Sequence, residues 1–171
     1  TLSWYSSAYW TAKVGVDVLQ LQYEHREKIR ARIGCHQLLQ QLKNRGYRCW
    51  LLTNADRAGL QLKLENIELS PYFEVMVSSE ELGHAKEQVA FWQKLQQLHP
   101  FNPAQAVFVD DTVAVLESAE DFGIAQLFSI LQPSSAKPAR AATELPYPAL
   151  DHLTELVDYL DIKLQDTDAK T

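Results

Sequence analysis

Short apolar runs alternate with helix-patterned segments along most of the chain, and this alternation restricts the possible folds more than any other feature. The runs are Cys49-Trp50-Leu51-Leu52, Phe73-Glu74-Val75-Met76-Val77, Ala106-Val107-Phe108-Val109 and Ile124 to Ile130. They are largely apolar on both faces, as strands are when helices cover both sides of a parallel sheet. Between them lie helical faces. Cys35, Leu38, Leu39 and Leu42 precede a left-handed cap at Gly46. Asp56 caps a helix with Leu60, Leu64 and Ile67 inward. Phe91, Trp92, Leu95 and Leu98 form the next face, which stops at His99-Pro100, and Thr112, Val115, Leu116 and Ala119 form another, ended by Gly123. The expected fold is α/β, a Rossmann-like three-layer α/β/α arrangement around a parallel sheet.

The rest is less regular. Tyr5, Ala8, Tyr9 and Ala12 recur at helical spacing before Gly15, and a charged connector fills 24–32. A proline-rich loop is expected over 132–148, a last helix through Leu150, Leu153, Val157 and Leu160, and a loose tail over 161–171. The 171 residues suit one domain, and the net charge of −6 argues against a general nucleic-acid binder. No run of about eighteen apolar residues predicts a membrane span. Cys35 and Cys49 are expected as reduced, buried thiols. The chain opens at Thr1, with Met76 its sole methionine and no secretory signal. These features read as a chain cut from a longer, cytoplasmic protein.

Ligands of open parallel sheets sit beyond the carboxyl ends of the strands. Thr53-Asn54 follows the first run, Ser78-Ser79 and then Lys86 follow the second, and Asp110-Asp111-Thr112 follows the third. Adjacent carboxylates at a strand end call for a cation, and Mg²⁺ takes such oxygen ligands while keeping room for phosphate. A hydroxyl, backbone amides and a lysine complete a phosphoryl-transfer set. Each residue type also has a plainer reading: a turn or helix cap at Thr53-Asn54, a surface lysine at 86, and a helix N-cap at Asp110-Asp111.

The order Leu51-Leu52-Thr53-Asn54-Ala55, Gly83-His84-Ala85-Lys86, then Val107-Phe108-Val109-Asp110-Asp111-Thr112 resembles the second, third and fourth motifs of the haloacid dehalogenase-like hydrolase superfamily. Ser3-Trp4-Tyr5 to Tyr9-Trp10, with Lys86-Glu87 followed by Phe91-Trp92, resembles its GMP/IMP nucleotidases. The resemblance implies hydrolysis of a small phosphorylated substrate, a purine nucleoside monophosphate, through an aspartyl-phosphate with Mg²⁺ as cofactor. It implies that Thr53 and Asn54 hold phosphate, that Lys86 bridges phosphate and nucleophile, and that Asp110 and Asp111 bind the metal. Residues 1–32 would be the remnant of a helical cap and its connector, and 33–160 the core. Trp4, Tyr5, Tyr9 and Trp10 would meet the leaving group, unless they only pack the cap's own helices.

This chain departs from the superfamily in two ways. Glu87 stands where many members have proline. The first motif, Asp-x-Asp-x-Thr after an apolar strand, is missing; Asp166-Thr167-Asp168 has neither the spacing to Thr171 nor the preceding strand. The expectation is therefore an inactive chain with its central first strand absent. The strands ending at Thr53 and Asp110 would then flank a gap of about 10 Å, too wide for a backbone hydrogen bond. Other phosphatases of the superfamily, acting on phosphoglycolate or sugar phosphates, are the nearest alternatives, and a non-catalytic binding module is the competing class. A receiver domain is disfavoured because its acidic pair comes first. A dehalogenase is disfavoured because it leaves Asp110-Asp111 without a task.

Overall fold

The computed structural model describes residues 2–134 and 136–168. After a 3-10 turn at Leu2–Tyr5 come α1 (Ser7–Val14), α2 (Val18–Glu24) and α3 (Cys35–Asn44). Then β1 (Trp50–Thr53), α4 (Arg57–Asn66), β2 (Val75–Ser78), α5 (Ser79–Leu82) and α6 (Val89–Leu98) alternate. The chain continues with β3 (Val107–Val109), α7 (Val113–Phe122), β4 (Gln126–Ile130), β5 (Ala149–Leu150) and α8 (Glu155–Asp168). Strand pairing is parallel throughout, with Leu51 opposite Met76, Phe108 opposite Leu127, and Ile130 opposite Leu150. Among the described residues no helix is long and apolar enough to cross a membrane.

Side-chain alternation along the strands builds the three layers. Phe108 and Leu127 join Val77, Phe91, Trp92, Leu95, Val115, Leu116 and Ala119 on one face. Val107, Val109 and Phe128 join Leu38, Leu42, Leu150, Leu156, Val157 and Leu160 on the other. Helices α6 and α7 thus cover one side, and α3 and α8 the other. Trp92 anchors the first layer: it is 1% exposed, lies 4.8 Å from the Phe108 ring, and donates Nε1–H to Lys86 O and Ser118 Oγ, each at 3.1 Å.

The ladders form two groups, β1–β2 and β3–β4–β5, and among the described residues none joins β1 to β3. Every residue of β1 and β3 is half-buried, whereas Leu127, Phe128 and Ser129 of β4 are buried. Apolar strands with one unpartnered side keep part of their surface open to water.

Several expectations need correction. Leu62, rather than Leu64, is buried on α4, because the alternating leucines let the helix turn a different face inward. Leu98 is 58% exposed, on the last turn of α6 just before the chain leaves the layer at His99. Thr112 is an exposed N-cap position rather than part of the inward face of α7. Leu150 pairs in β5, so the last helix begins only at Glu155. That helix continues to Asp168 where a loose tail was expected from 161, and 169–171 lie outside the described residues. Helix α2, capped by Asp17, was not foreseen, because its apolar residues Val18, Leu21 and Tyr23 make no wide stripe. Cys35 and Cys49 are free but half-buried rather than buried.

Removing the indole N–H of Trp92 leaves Lys86 O and Ser118 Oγ without this donor inside the core. Trp92→Phe is expected to cost roughly 1–3 kcal/mol, seen as a lower urea midpoint with an unchanged slope.

Candidate active site

The sequence places polar residues after β1, β2 and β3, and the fold brings several of them into contact at one end. Lys86 lies in the turn between α5 and α6. Its Nζ is 2.5 Å from Asp110 Oδ2, with side chains only 10% and 8% exposed. The Lys86 ammonium also lies 5.8 Å from the centre of the Phe108 ring. Asp110 Oδ1 accepts Thr112 N–H at 2.9 Å, so both carboxylate oxygens have partners.

Asn54 occupies the loop between β1 and α4. Its Oδ1 accepts the Lys86 backbone N–H at 2.9 Å, and its Nδ2 donates to Glu87 Oε2 at 2.9 Å. Thr53 Oγ1 accepts Ala55 N–H at 3.1 Å, which curls the loop. Two fully buried serines brace this loop from below: Ser78 Oγ donates to Ala55 O at 2.6 Å and Ser79 Oγ to Asn54 O at 3.3 Å. Ser78 also caps α5 in a reciprocal capping box with Glu81. These serines are scaffold for the loop rather than ligands of the site.

Asp56 caps α4 through Gly59 N–H at 2.8 Å and accepts Ser7 N–H at 2.5 Å, tying the start of α1 to the core. A Cβ at residue 59 would come 2.9 Å from Asp56 Oδ1, so glycine there lets the carboxylate serve both partners. A cavity of about 240 Å³ lies between this loop and the N-terminal segment, lined by Tyr5, Ser6, Tyr9, Asn54, Asp56 and Glu80 among others. Tyr5 and Tyr9 therefore line a cavity that borders the site at Asn54. Trp4 and Trp10 instead pack edge to face, 4.8 Å between ring centres, and Trp10 Nε1 donates to Trp4 O at 2.7 Å.

Asp111 is exposed, and its backbone carbonyl accepts Arg140 Nη1 at 3.0 Å. Arg140 reaches in from the proline-rich loop and also donates to Ser129 Oγ and Ile130 O. Sequence reasoning missed it, since nothing in the pattern of 132–148 marks one arginine as inward-facing. It also undervalued Glu87, whose carboxylate accepts from both Asn54 and the Tyr5 hydroxyl. The replacement of proline by an acid at that position was the available signal.

Asp110 and Asp111 offer adjacent hard-oxygen donors suited to Mg²⁺. Among the described residues no group of three or more His, Cys, Asp or Glu side chains converges on one point. The pair fits as part of a metal shell rather than a whole one.

Burial, then the Glu87 contact, pushes the Tyr5 phenol up to about 12. Burial raises the Glu87 carboxyl, but hydrogen bonds from Tyr5, its own N–H and Asn54, with the Lys86 charge, outweigh it and hold it below its usual value. The signs define a window. The raised phenol contributes stability that is full below the ordinary tyrosine range and fades as pH rises through about 12. The lowered carboxyl contributes stability above the ordinary glutamate range and loses it as pH falls through its lower folded value. The contact should hold between these limits. Tyr147 is also raised to about 12, so phenolate absorbance is expected to show two late-titrating tyrosines. Tyr5→Phe should remove one of them.

Residues 11–128 match the family described as haloacid dehalogenase-like hydrolase. The chain is 30% identical over 135 residues to the GMP/IMP nucleotidase YrfG of Escherichia coli, covering 79% of this chain and 61% of that protein. It thus spans about three fifths of that relative's length. Among solved structures, a HAD phosphatase from Thermococcus onnurineus superposes with a TM-score of 0.78 at 19% identity, over 94% of this chain and 73% of that one. A predicted phosphoglycolate phosphatase from Haemophilus somnus superposes with a TM-score of 0.71 at 19% identity, over 90% and 66%. With three motif segments meeting at one end of a parallel α/β fold, and the family match spanning the strands that carry them, the chain belongs to the haloacid dehalogenase-like hydrolases.

Proposed function

We propose that this chain is the phosphate- and metal-binding part of a Mg²⁺-dependent phosphomonoester hydrolase acting on purine nucleoside 5′-monophosphates in the cytoplasm. The observation that carries the reading is the buried Lys86–Asp110 pair, 2.5 Å apart, beside the Asn54 amide. It holds an ammonium at the site with its carboxylate partner already satisfied. Phosphate oxygens would meet Lys86 Nζ, Thr53 Oγ1 and the backbone amides of the loop after β1. Asp110 and Asp111 would hold Mg²⁺, which when bound offsets phosphate charge so that an anionic nucleophile can approach.

The nucleotidase relative supports the purine assignment. So does the chemistry of the adjoining cavity: Asp56 and Glu80 present carboxylates, and Tyr5 and Tyr9 present rings. A purine carrying N–H groups could donate to those acids and lie against the aromatics, with its phosphate toward Lys86. Ring stacking of this kind contributes about 1–3 kcal/mol per base.

The sequence has no Asp-x-Asp-x-Thr after an apolar strand to supply the attacking carboxylate. Assayed alone with Mg²⁺, the chain is expected to turn over neither p-nitrophenyl phosphate nor GMP. Turnover that disappears in Asp111→Ala would overturn the claim that the nucleophile lies elsewhere. Joined to a strand ending in that motif, the protein should hydrolyse GMP and IMP faster than phosphoglycolate. In that protein Asp111→Asn should remove most activity and weaken its dependence on Mg²⁺. Lys86→Ala should cost roughly 2–4 kcal/mol of transition-state stabilisation, as loss of a preorganised charge does elsewhere. Unchanged kcat/KM in Lys86→Ala on every phosphomonoester would defeat the reading.

A further inference from the structure

We propose that Glu87 is a positioning residue that couples the docking of the N-terminal helical segment to the placement of Lys86. The inference rests on the phosphate-binding role proposed for Lys86, and it assigns Tyr5 a task other than base stacking.

Both oxygens of the Glu87 carboxylate are engaged, and by different parts of the fold. Oε1 accepts the Tyr5 hydroxyl from the N-terminal turn, across 82 residues of sequence. Oε2 accepts Nδ2 of Asn54 from the loop after β1. Asn54 in turn uses Oδ1 to accept the backbone N–H of Lys86. The amide can serve both partners in one orientation only. Rotating it by half a turn would set its oxygen against the Glu87 carboxylate and its NH₂ against the Lys86 N–H. Glu87 therefore selects the Asn54 orientation that holds the Lys86 backbone, and the Lys86 ammonium then reaches Asp110. Proline or alanine at 87 would leave the Lys86 N–H as the one remaining contact of this relay that fixes the Asn54 orientation.

The far end of the relay lies where a ligand would arrive. Tyr5 and Asn54 both line the cavity between the N-terminal segment and the core. The same segment is held a second time through Ser7 N–H on Asp56. Movement of this segment away from the core must release the Tyr5 hydroxyl from Glu87. The carboxylate then keeps the Asn54 amide and its own N–H but loses its tie to the N-terminal segment, and the restraint on Lys86 weakens. A segment docked over a filled cavity maintains the whole relay.

The test titrates orthophosphate into the whole chain, by calorimetry and ³¹P NMR, in wild type, Lys86→Ala, Glu87→Ala, Glu87→Gln and Tyr5→Phe. Thermal midpoints and the amide resonances of Lys86 and Asn54 are recorded alongside. The expected result is loss of phosphate binding in Lys86→Ala and about tenfold weaker binding in Glu87→Ala, the size of one charge-assisted hydrogen bond. Tyr5→Phe should weaken phosphate binding less and shift the Lys86 backbone amide resonance as well as that of the Asn54 side chain. Glu87→Gln keeps one acceptor oxygen and should fall between wild type and Glu87→Ala. It also serves if Glu87→Ala fails to fold. A purely structural role would lower the thermal midpoint and leave the phosphate affinity of the folded protein unchanged. Weakened binding in Lys86→Ala with unchanged affinity and resonances in the Glu87 and Tyr5 variants would overturn the coupling and spare the proposed function. If Lys86→Ala leaves phosphate binding unaltered, the proposed function fails instead. The coupling is then judged on the resonances in Tyr5→Phe alone: shifts support it and their absence overturns it.

Discussion

The buried contact between Lys86 and Asp110 is the constraint on which the site end of the fold depends. Taking an ammonium and a carboxylate out of water is expensive, and their attraction offsets that cost only with close geometry and satisfied neighbours. Here the carboxylate accepts from both Lys86 and Thr112, and the lysine lies over Phe108. The pair also joins the two strand groups, since Lys86 comes after β2 and Asp110 directly follows β3. Among the described residues no backbone ladder links β1 to β3, and this contact and the shared apolar layer around Trp92 connect the halves.

Everything around the pair serves to hold the loop after β1 in register with it. Ser78 and Ser79, with no exposed surface, pin the loop's carbonyls, and Asp56 pins its far end to α4. Asn54 then presents one amide to two partners. Buried hydroxyls without partners would destabilise the core, so their hydrogen bonds to the loop keep the layer sound and the site rigid together. The site is a polar network with most of its members satisfied by protein.

The same network explains why the N-terminal segment stays on the core despite exposing Trp4, Val14, Val16, Leu21 and Tyr23. Its attachment includes specific hydrogen bonds to Asp56 and Glu87 at the site itself. A segment anchored by few polar contacts at a cavity's rim can move more readily than one packed through a large apolar face.

The sequence by itself determined most element types, the parallel sheet and the end of the sheet where the polar residues gather. Apolar runs on both faces, helical spacing between them and glycine caps are local signals that survive without knowledge of neighbours. Thr53, Asn54, Lys86, Asp110 and Asp111 could be singled out as candidates from the sequence because each ends or follows a strand or its next turn. Only the tertiary structure decided that Leu150 joins a strand, since a two-residue pairing with β4 outweighs a weak helical pattern. Only it decided which leucine α4 buries, and that Arg140 folds back from a proline-rich loop onto the Asp111 carbonyl. The Tyr5–Glu87–Asn54 relay was likewise invisible: its members are 82 and 33 residues apart. Hydrogen bonds between side chains so distant in sequence leave no periodicity in the chain, and arise only when the fold brings a turn, a loop and a helix approach to one point.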